Sequence, residues 1–309
     1  MLTIGKEKYV YAFAPDMKGV AEAAPGDRVL FETHDCFEGQ IRSESTLCSD
    51  IDFGRINPAT GPLTVKGAEK GDLLGVSVEC IDVEKQAVSV AVPGAGAVPG
   101  KVEKPLTRIL SVDKTSKTVR FKGETLPLKP MIGVIGVATA SDTVPTGTPG
   151  PHGGNMDTRD IAEGATVWFT VAQEGAMLAL GDCHALMGDG EIGCSGAEVD
   201  AKVTVKLDLL KNAAFPWPLV ETPEEIMIVV SAETLDAAAE KASEAMVRLA
   251  MRTLGMDFND ALIFCSLNMD LRISQIVDPL KTVRSVMPKT LMPWEKIAEA
   301  LTGAQPLAR

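Results

Sequence analysis

The chain has 309 residues, 45% of them hydrophobic and 23% charged, so it can bury a sizeable core and is longer than one compact unit usually needs. Thirty Lys and Arg against 42 Asp and Glu leave a formal charge of -12, which repels phosphate backbones and anionic lipid head groups alike. Nucleic-acid and membrane roles are disfavoured on that ground. The Met1–Lys8 segment lacks a basic-then-apolar signal pattern, and no apolar run reaches the roughly 18 residues of a membrane span. A cytoplasmic location is expected, and Cys36, Cys48, Cys80, Cys183, Cys194 and Cys265, with no Cys-X-X-Cys spacing, read as free thiols.

With 28 Gly and 19 Pro, the text breaks into short apolar runs between turn signals. Val29-Leu30-Phe31, Gly71–Val78, Thr118–Phe121 and Met131–Ala138 read as strands, the last apolar on both faces and therefore buried. Pro93–Gly100 and Pro145–Asp157 are too rich in Gly and Pro for inner strands or helices and read as loops, the second carrying His152, Asn155 and Asp157. Long loops of this composition often carry function. The run Ala176–Leu180 predicts a strand continuing into Gly181-Asp182-Cys183-His184. Alternation then puts Asp182 and His184 on one face and Cys183 on the other, a pair that can hold a metal. Ala201–Leu209 alternates as a half-exposed strand. Beyond Ser231–Thr234 the period changes to a helix over Leu235–Leu254 ended by Gly255, then a second helix over about Asp257–Leu267, with breaks at Pro279 and Pro288. The predicted fold is mainly β, a sandwich or barrel-like body, with a C-terminal α+β portion. Its expected division is an N-terminal β-rich region over residues 1–145, and a motif-bearing β region with the α+β portion over 146–309.

Three segments carry the chemistry: Phe31–Gln40 with His34 and Asp35, Pro151–Asp157 with His152, and Gly181–Glu191 with Asp182 and His184. Together with Gly193–Glu198 and Ile273–Pro279, in this order, they resemble the acetamidase/formamidase family over most of the chain. The resemblance implies metal-assisted hydrolysis of a short aliphatic amide to carboxylate and ammonia by a homo-oligomer, on a β-rich fold with an α+β part.

Amide hydrolysis requires a polarised carbonyl, an activated nucleophile and a proton for the departing nitrogen; a divalent metal can supply the first two and a nearby carboxylic acid the third. Alone, Asp182 reads as a turn cap and His184 as a satisfied core residue. The resemblance makes both metal ligands, with Asp35 the third because it occupies a Thr-X-Asp motif shared by the family. His34 would point away from Asp35 on an extended chain and is left out of the set. Glu198 or Glu191 is the expected proton shuttle, His152 and Asn155 approach the substrate, and Asp189 reads as a turn former. Asp157 either ligates or pairs with Arg159. The mixed imidazole and carboxylate set points to zinc, with calcium as the alternative. Met187, where family members often carry Gln, and Cys194-Ser195-Gly196 depart from the family pattern and bear on substrate choice.

Two rivals come from other chemistry. A thiol amidase would use Cys183, Cys194 or Cys36 with His184 as base, but Cys183 is predicted to face away from that base. A non-catalytic β protein clamped by calcium would use oxygen ligands such as Asp35, Asp157 and Asp189.

Overall fold

Alternating strands with one apolar face must bury it against a second layer, and two sheets do so here. The computed structural model describes residues 1–303. The first sheet has nine strands, with Leu2–Ile4, Arg28–Thr33, Ala201–Leu210, Leu73–Val83 and Thr166–Thr170 in spatial order. It continues through Leu219–Glu221, Glu225–Ala232 and Lys281–Pro288 to an edge strand, Asp270–Gln275. The second sheet has eleven strands, with Leu178–His184 at its centre. Side chains from both sheets, among them Phe31, Val76, Ile135, Phe169, Leu180 and Val203, form one continuous core. Each such large apolar side chain contributes about 1.5–3 kcal/mol by leaving water.

Residue 145, the expected division, does not separate the sheets. Ala201–Leu210 lies between Arg28–Thr33 and Leu73–Val83, and Leu178–His184 pairs with both Ala59–Val65 and Met131–Gly136. The two halves of the sequence therefore interleave.

The far end of the nine-stranded sheet is covered by three helices, forming the C-terminal α+β portion. The first, α1, spans Leu235–Leu254; Oγ1 of Thr234 accepts from the Ala237 N–H, and Gly255 closes the end in the left-handed conformation with φ 68°. Its buried face is rich in alanine, with Ala238, Ala242, Ala245 and Ala250 allowing close approach to the sheet. The second, α2, spans Phe258–Asn268 with Asp257 as its N-cap. The third, α3, spans Trp294–Gly303, and its Trp294 stacks on Trp168 at 4.4 Å between ring centroids. None of these helices is long and apolar enough to cross a membrane.

The Pro145–Asp157 segment is more ordered than a simple loop. Gly153–Asn155 forms a strand against Met131–Gly136, and the left-handed backbone of Gly153 and Gly154 makes that approach feasible, since a Cβ on Gly153 would lie 2.2 Å from the Ile135 carbonyl oxygen. This edge carries Asn155 toward the site.

Candidate active site

The strand Leu178–His184 changes partner along one edge. Gly181 pairs with Ala59, whereas Cys183 and His184 pair with Val199 and Glu198. Asp182 sits at the changeover with φ 50°, a left-handed conformation that costs a non-glycine residue about 1–3 kcal/mol. The interruption preserves the expected facing. Nε2 of His184 lies 3.5 Å from Oδ1 of Asp182, while Cys183 is in the inter-sheet core beside the Thr33 hydroxyl.

Two more carboxylates close on the same imidazole. Oε2 of Glu198 is 3.1 Å and Oδ1 of Asp157 is 3.8 Å from His184 Nε2, and all four side chains are buried. Backbone architecture makes the room. A Cβ on Gly133 would fall 2.5 Å from Oδ1 of Asp157 and 2.7 Å from Oδ2 of Asp182, and one on Gly196 would fall 2.5 Å from His184 Nδ1. The Gly196 N–H donates to Oε1 of Glu198 at 2.7 Å, leaving the other oxygen to face the imidazole. Asp157 and Glu191 also have left-handed backbones, with φ 40° and 45°.

The electrostatics are those of crowded acids. Burial, reinforced by Asp182 and opposed by His184, pushes Asp157 up to about 6. Burial, again opposed by His184, pushes Glu198 up to about 7. Burial and Asp157 raise both Glu191 and Asp278 well above the ordinary range. Burial disfavours charge on His184, but Glu198 and Asp182 outweigh it and hold its pKa well above the usual value. Among the described residues, His184 is the only basic side chain in an ion pair with Asp157, Asp182 or Glu198. Both oxygens of Asp157, Oδ1 of Asp182, Oε2 of Glu198 and Nδ1 of His184 have no hydrogen-bond partner. Buried polar atoms are seldom left so, and a cation on the Nε2 side of the ring would satisfy the carboxylate oxygens, while Nδ1 faces the other way. Donor atoms fall into two groupings, Asp157 with His184 and Glu191, and Cys36 with Asp182 and Glu198, each within 4.8 Å of one another.

Asp35, expected as the third ligand, is engaged elsewhere. Its Oδ1 accepts from the Phe37 and Gly39 N–H groups at 3.0 and 2.9 Å, and Oδ2 meets Arg42 at 3.2 Å. The chain turns after Thr33, and it is the neighbouring Cys36 whose sulfur reaches Asp182 and Glu198. His34 packs edge-on against Tyr9. Asp157 faces His184, while Arg159 pairs with Asp189 at 3.3 Å. Asp189, expected only to form a turn, also accepts two bonds from Arg284.

Asn155 donates from Nδ2 to Oδ2 of Asp278 at 3.1 Å, and its Oδ1 has no partner. His152 packs on Phe13, and burial lowers it to about 4, so the ring is neutral with an unpartnered Nε2. Asp278, Gly133, Gly196 and Arg284 are absent from the sequence-derived set. Asp278 and Gly196 do lie in the Ile273–Pro279 and Gly193–Glu198 stretches that carry the resemblance, whereas Gly133 and Arg284 lie outside every such stretch.

The sequence profile described as the Acetamidase/Formamidase family matches residues 5–146 and 137–292. The chain belongs to the acetamidase/formamidase family. The crystal structure of an acetamidase from Bacillus halodurans superposes with a TM-score of 0.92 at 43% identity, covering 96% of this chain and 99% of that one. The acetamidase of Mycolicibacterium smegmatis is 25% identical over 274 residues, and the formamidase of Methylophilus methylotrophus is 26% identical over 284. These alignments cover 68% and 69%, respectively, of both this chain and the relative. In this member of the acetamidase/formamidase family, the segments around Asp157, Asp182 and Glu198 that carried the resemblance converge in space on His184.

Proposed function

We propose that this amidohydrolase cleaves a short linear amide of the formamide or acetamide type to carboxylate and ammonia, with a divalent cation held by Asp157, Asp182 and His184. The observation that carries the reading is a buried imidazole with three carboxylates within 3.8 Å and, among the described residues, no lysine or arginine paired to them. Ligands bound at 2.0–2.2 Å stand roughly 3–4 Å apart, and the 3.5 and 3.8 Å spacings from His184 to Asp182 and Asp157 suit that arrangement. One imidazole among carboxylates favours zinc over calcium. Such a cation polarises the amide carbonyl and acidifies water.

The remaining work belongs to the chain. Glu198, anchored through one oxygen by Gly196 and raised to about 7, is poised near neutrality to take a proton from the attacking water and return it to the amide nitrogen. Glu191 is the second acid at the site. The free Oδ1 of Asn155 can accept from the substrate's N–H₂, with Asp278 fixing the side chain, and neutral His152 borders the same approach. A cytoplasmic setting suits six free thiols.

Ammonia release from formamide and acetamide, measured before and after chelation and paired with elemental analysis, tests the reading. Turnover that depends on about one or more bound cations per chain is expected. Undiminished turnover by protein stripped of metal would overturn the cation's role, and no ammonia release from either amide would overturn the substrate class.

A further inference from the structure

Arg284 lies on the strand Lys281–Pro288, opposite Val229 on one side and Arg272 on the other, in the nine-stranded sheet rather than the sheet that carries His184. It is fully buried although its guanidinium stays charged. Nε stands 2.7 Å from Oδ2 of Asp160, and Nη2 donates to both oxygens of Asp189 at 2.9 Å. Nη1 donates to the Ile273 carbonyl at 2.7 Å and to the Ser274 hydroxyl at 3.2 Å. Nη1 and Nη2 are hydrogen-bonded, whereas Nε meets Asp160 as a close ion pair without hydrogen-bond geometry; a planar fork engaged on both Nη groups constrains those partners in angle as well as distance.

The two aspartates sit in the turns that carry the candidate site. Asp160 lies three residues after Asp157, and Asp189 lies two before Glu191; each turn passes through a left-handed residue, Asp157 or Glu191 itself. The end of the neighbouring edge strand Asp270–Gln275 ties both turns again. The Thr158 hydroxyl donates to Ser274 Oγ at 2.8 Å, the Gly190 N–H donates to the Ser274 carbonyl at 2.8 Å, and the Ile276 N–H returns to the Gly190 carbonyl at 3.2 Å. The two turns thus meet at one cation, and the side chains they present, Asp157 and Glu191, form a donor grouping with His184.

We infer that Arg284 is a positioning residue that sets Asp157 and Glu191 against His184 by clamping Asp160 and Asp189. This role rests on the hydrolytic reading of the site. Groups that orient ligands typically account for 10–100-fold in affinity or activity, about the effect expected here. A buried ion pair serving stability alone would change melting temperature and leave kcat intact at temperatures well below it.

The test compares wild type with Arg284→Lys, which keeps the charge and loses the fork, and with Asp189→Asn, which removes the bidentate partner at a less buried position. Formamide kinetics and zinc bound per chain after equilibration with zinc alone are measured on protein with a native circular-dichroism spectrum. Loss of about 10–100-fold in kcat with KM within about twofold, together with weaker zinc uptake, is the expected result in both variants. Wild-type kcat and wild-type zinc affinity in both variants would overturn the clamp. If wild type itself takes up no zinc, the metal reading fails separately, and the kcat comparison still decides for or against Arg284. Should Arg284→Lys not fold, Asp189→Asn carries the same two outcomes.

Discussion

His184 and Glu198 are direct cross-strand partners, and their side chains meet with Nε2 and Oε2 3.1 Å apart in a buried environment. Cross-strand pairing fixes this contact more firmly than a loop would, because both backbones are held by the sheet. The shape of the pair is therefore a property of the fold, while its charge state answers to Asp157 and Asp182 beside it.

Replacing Glu198 by Gln keeps the shape and removes the titrating group. Turnover of formamide is expected to fall about 10²–10⁴-fold, the usual span for losing a general acid or base. Stability should hold or rise, because burial already disfavours the charge on this carboxylate. Kinetics and thermal melts on the same preparation check both halves; a Glu198→Gln variant with wild-type kcat would remove Glu198 from the mechanism.

Gly133→Ala tests the space rather than the charge. The added methyl would meet Asp157, Asp182 and the Asp182 carbonyl oxygen at 2.5–2.8 Å. Overpacking of that kind costs about 1–3 kcal/mol, and it displaces two proposed ligands at once, so zinc uptake should drop with stability. Gly100→Ala is the control, since its Cβ would meet nothing within 4 Å. Equal zinc binding in the two variants would contradict the role given to Gly133.

How far these features are legible in the sequence depends on their range along the chain. Alternation suffices for Asp182, His184 and the core-facing Cys183, and caps suffice for α1, where Thr234 and Gly255 mark both ends. The expectation for Asp35 comes from the family motif rather than from alternation; the strand stops at Thr33, and after it the Cys36 sulfur is the atom that comes within reach of Asp182 and Glu198. The contact of Asp157 with His184 depends on Gly133, which no local pattern reveals. Helix α3 escapes a sequence reading because it is short and follows a stretch punctuated by prolines, where Pro293 leads into the helix and its carbonyl accepts from Lys296. The family resemblance supplies order and chemistry, but the pairing of Asp189 with Arg284, 95 residues apart, exists only once the sheets are stacked.

Away from the site, Asp72 offers a pH-dependent contribution with a definite sign. Its carboxylate is buried, yet accepts from Lys211 at 2.6 Å and from the Glu69 and Asn212 N–H groups at 2.8 and 3.0 Å. Burial pushes the carboxyl up, but these donors outweigh it and hold it below its ordinary value. A carboxylate lowered by folding stabilises above the unfolded pKa of about 3.9 and loses that contribution as the pH falls toward its folded value. Asp72→Asn should therefore cost about 1–3 kcal/mol at pH 7, and the gap to wild type should narrow below about pH 4. Urea denaturation of both proteins at about pH 7 and about pH 3 measures it; a gap that does not change with pH would place the contribution in shape rather than charge.

Cys183, the thiol adjacent in sequence to both Asp182 and His184, tests one thiol route directly. A nucleophilic thiol needs a base within reach and a lowered pKa, whereas burial pushes Cys183 up to about 12, despite the neighbouring Thr33 hydroxyl. The sulfur belongs to the inter-sheet core, on the strand face opposite His184. Truncation to alanine should consequently act as a core mutation: a stability loss of about 1 kcal/mol from the missing packing, with kcat for formamide within about twofold of wild type. An enzyme with Cys183 as its nucleophile would instead lose essentially all turnover with its fold intact. Because the two outcomes differ in kcat and not merely in melting temperature, steady-state assays well below the melting transition distinguish them, and abolished activity in folded Cys183→Ala would transfer the nucleophile from water to sulfur.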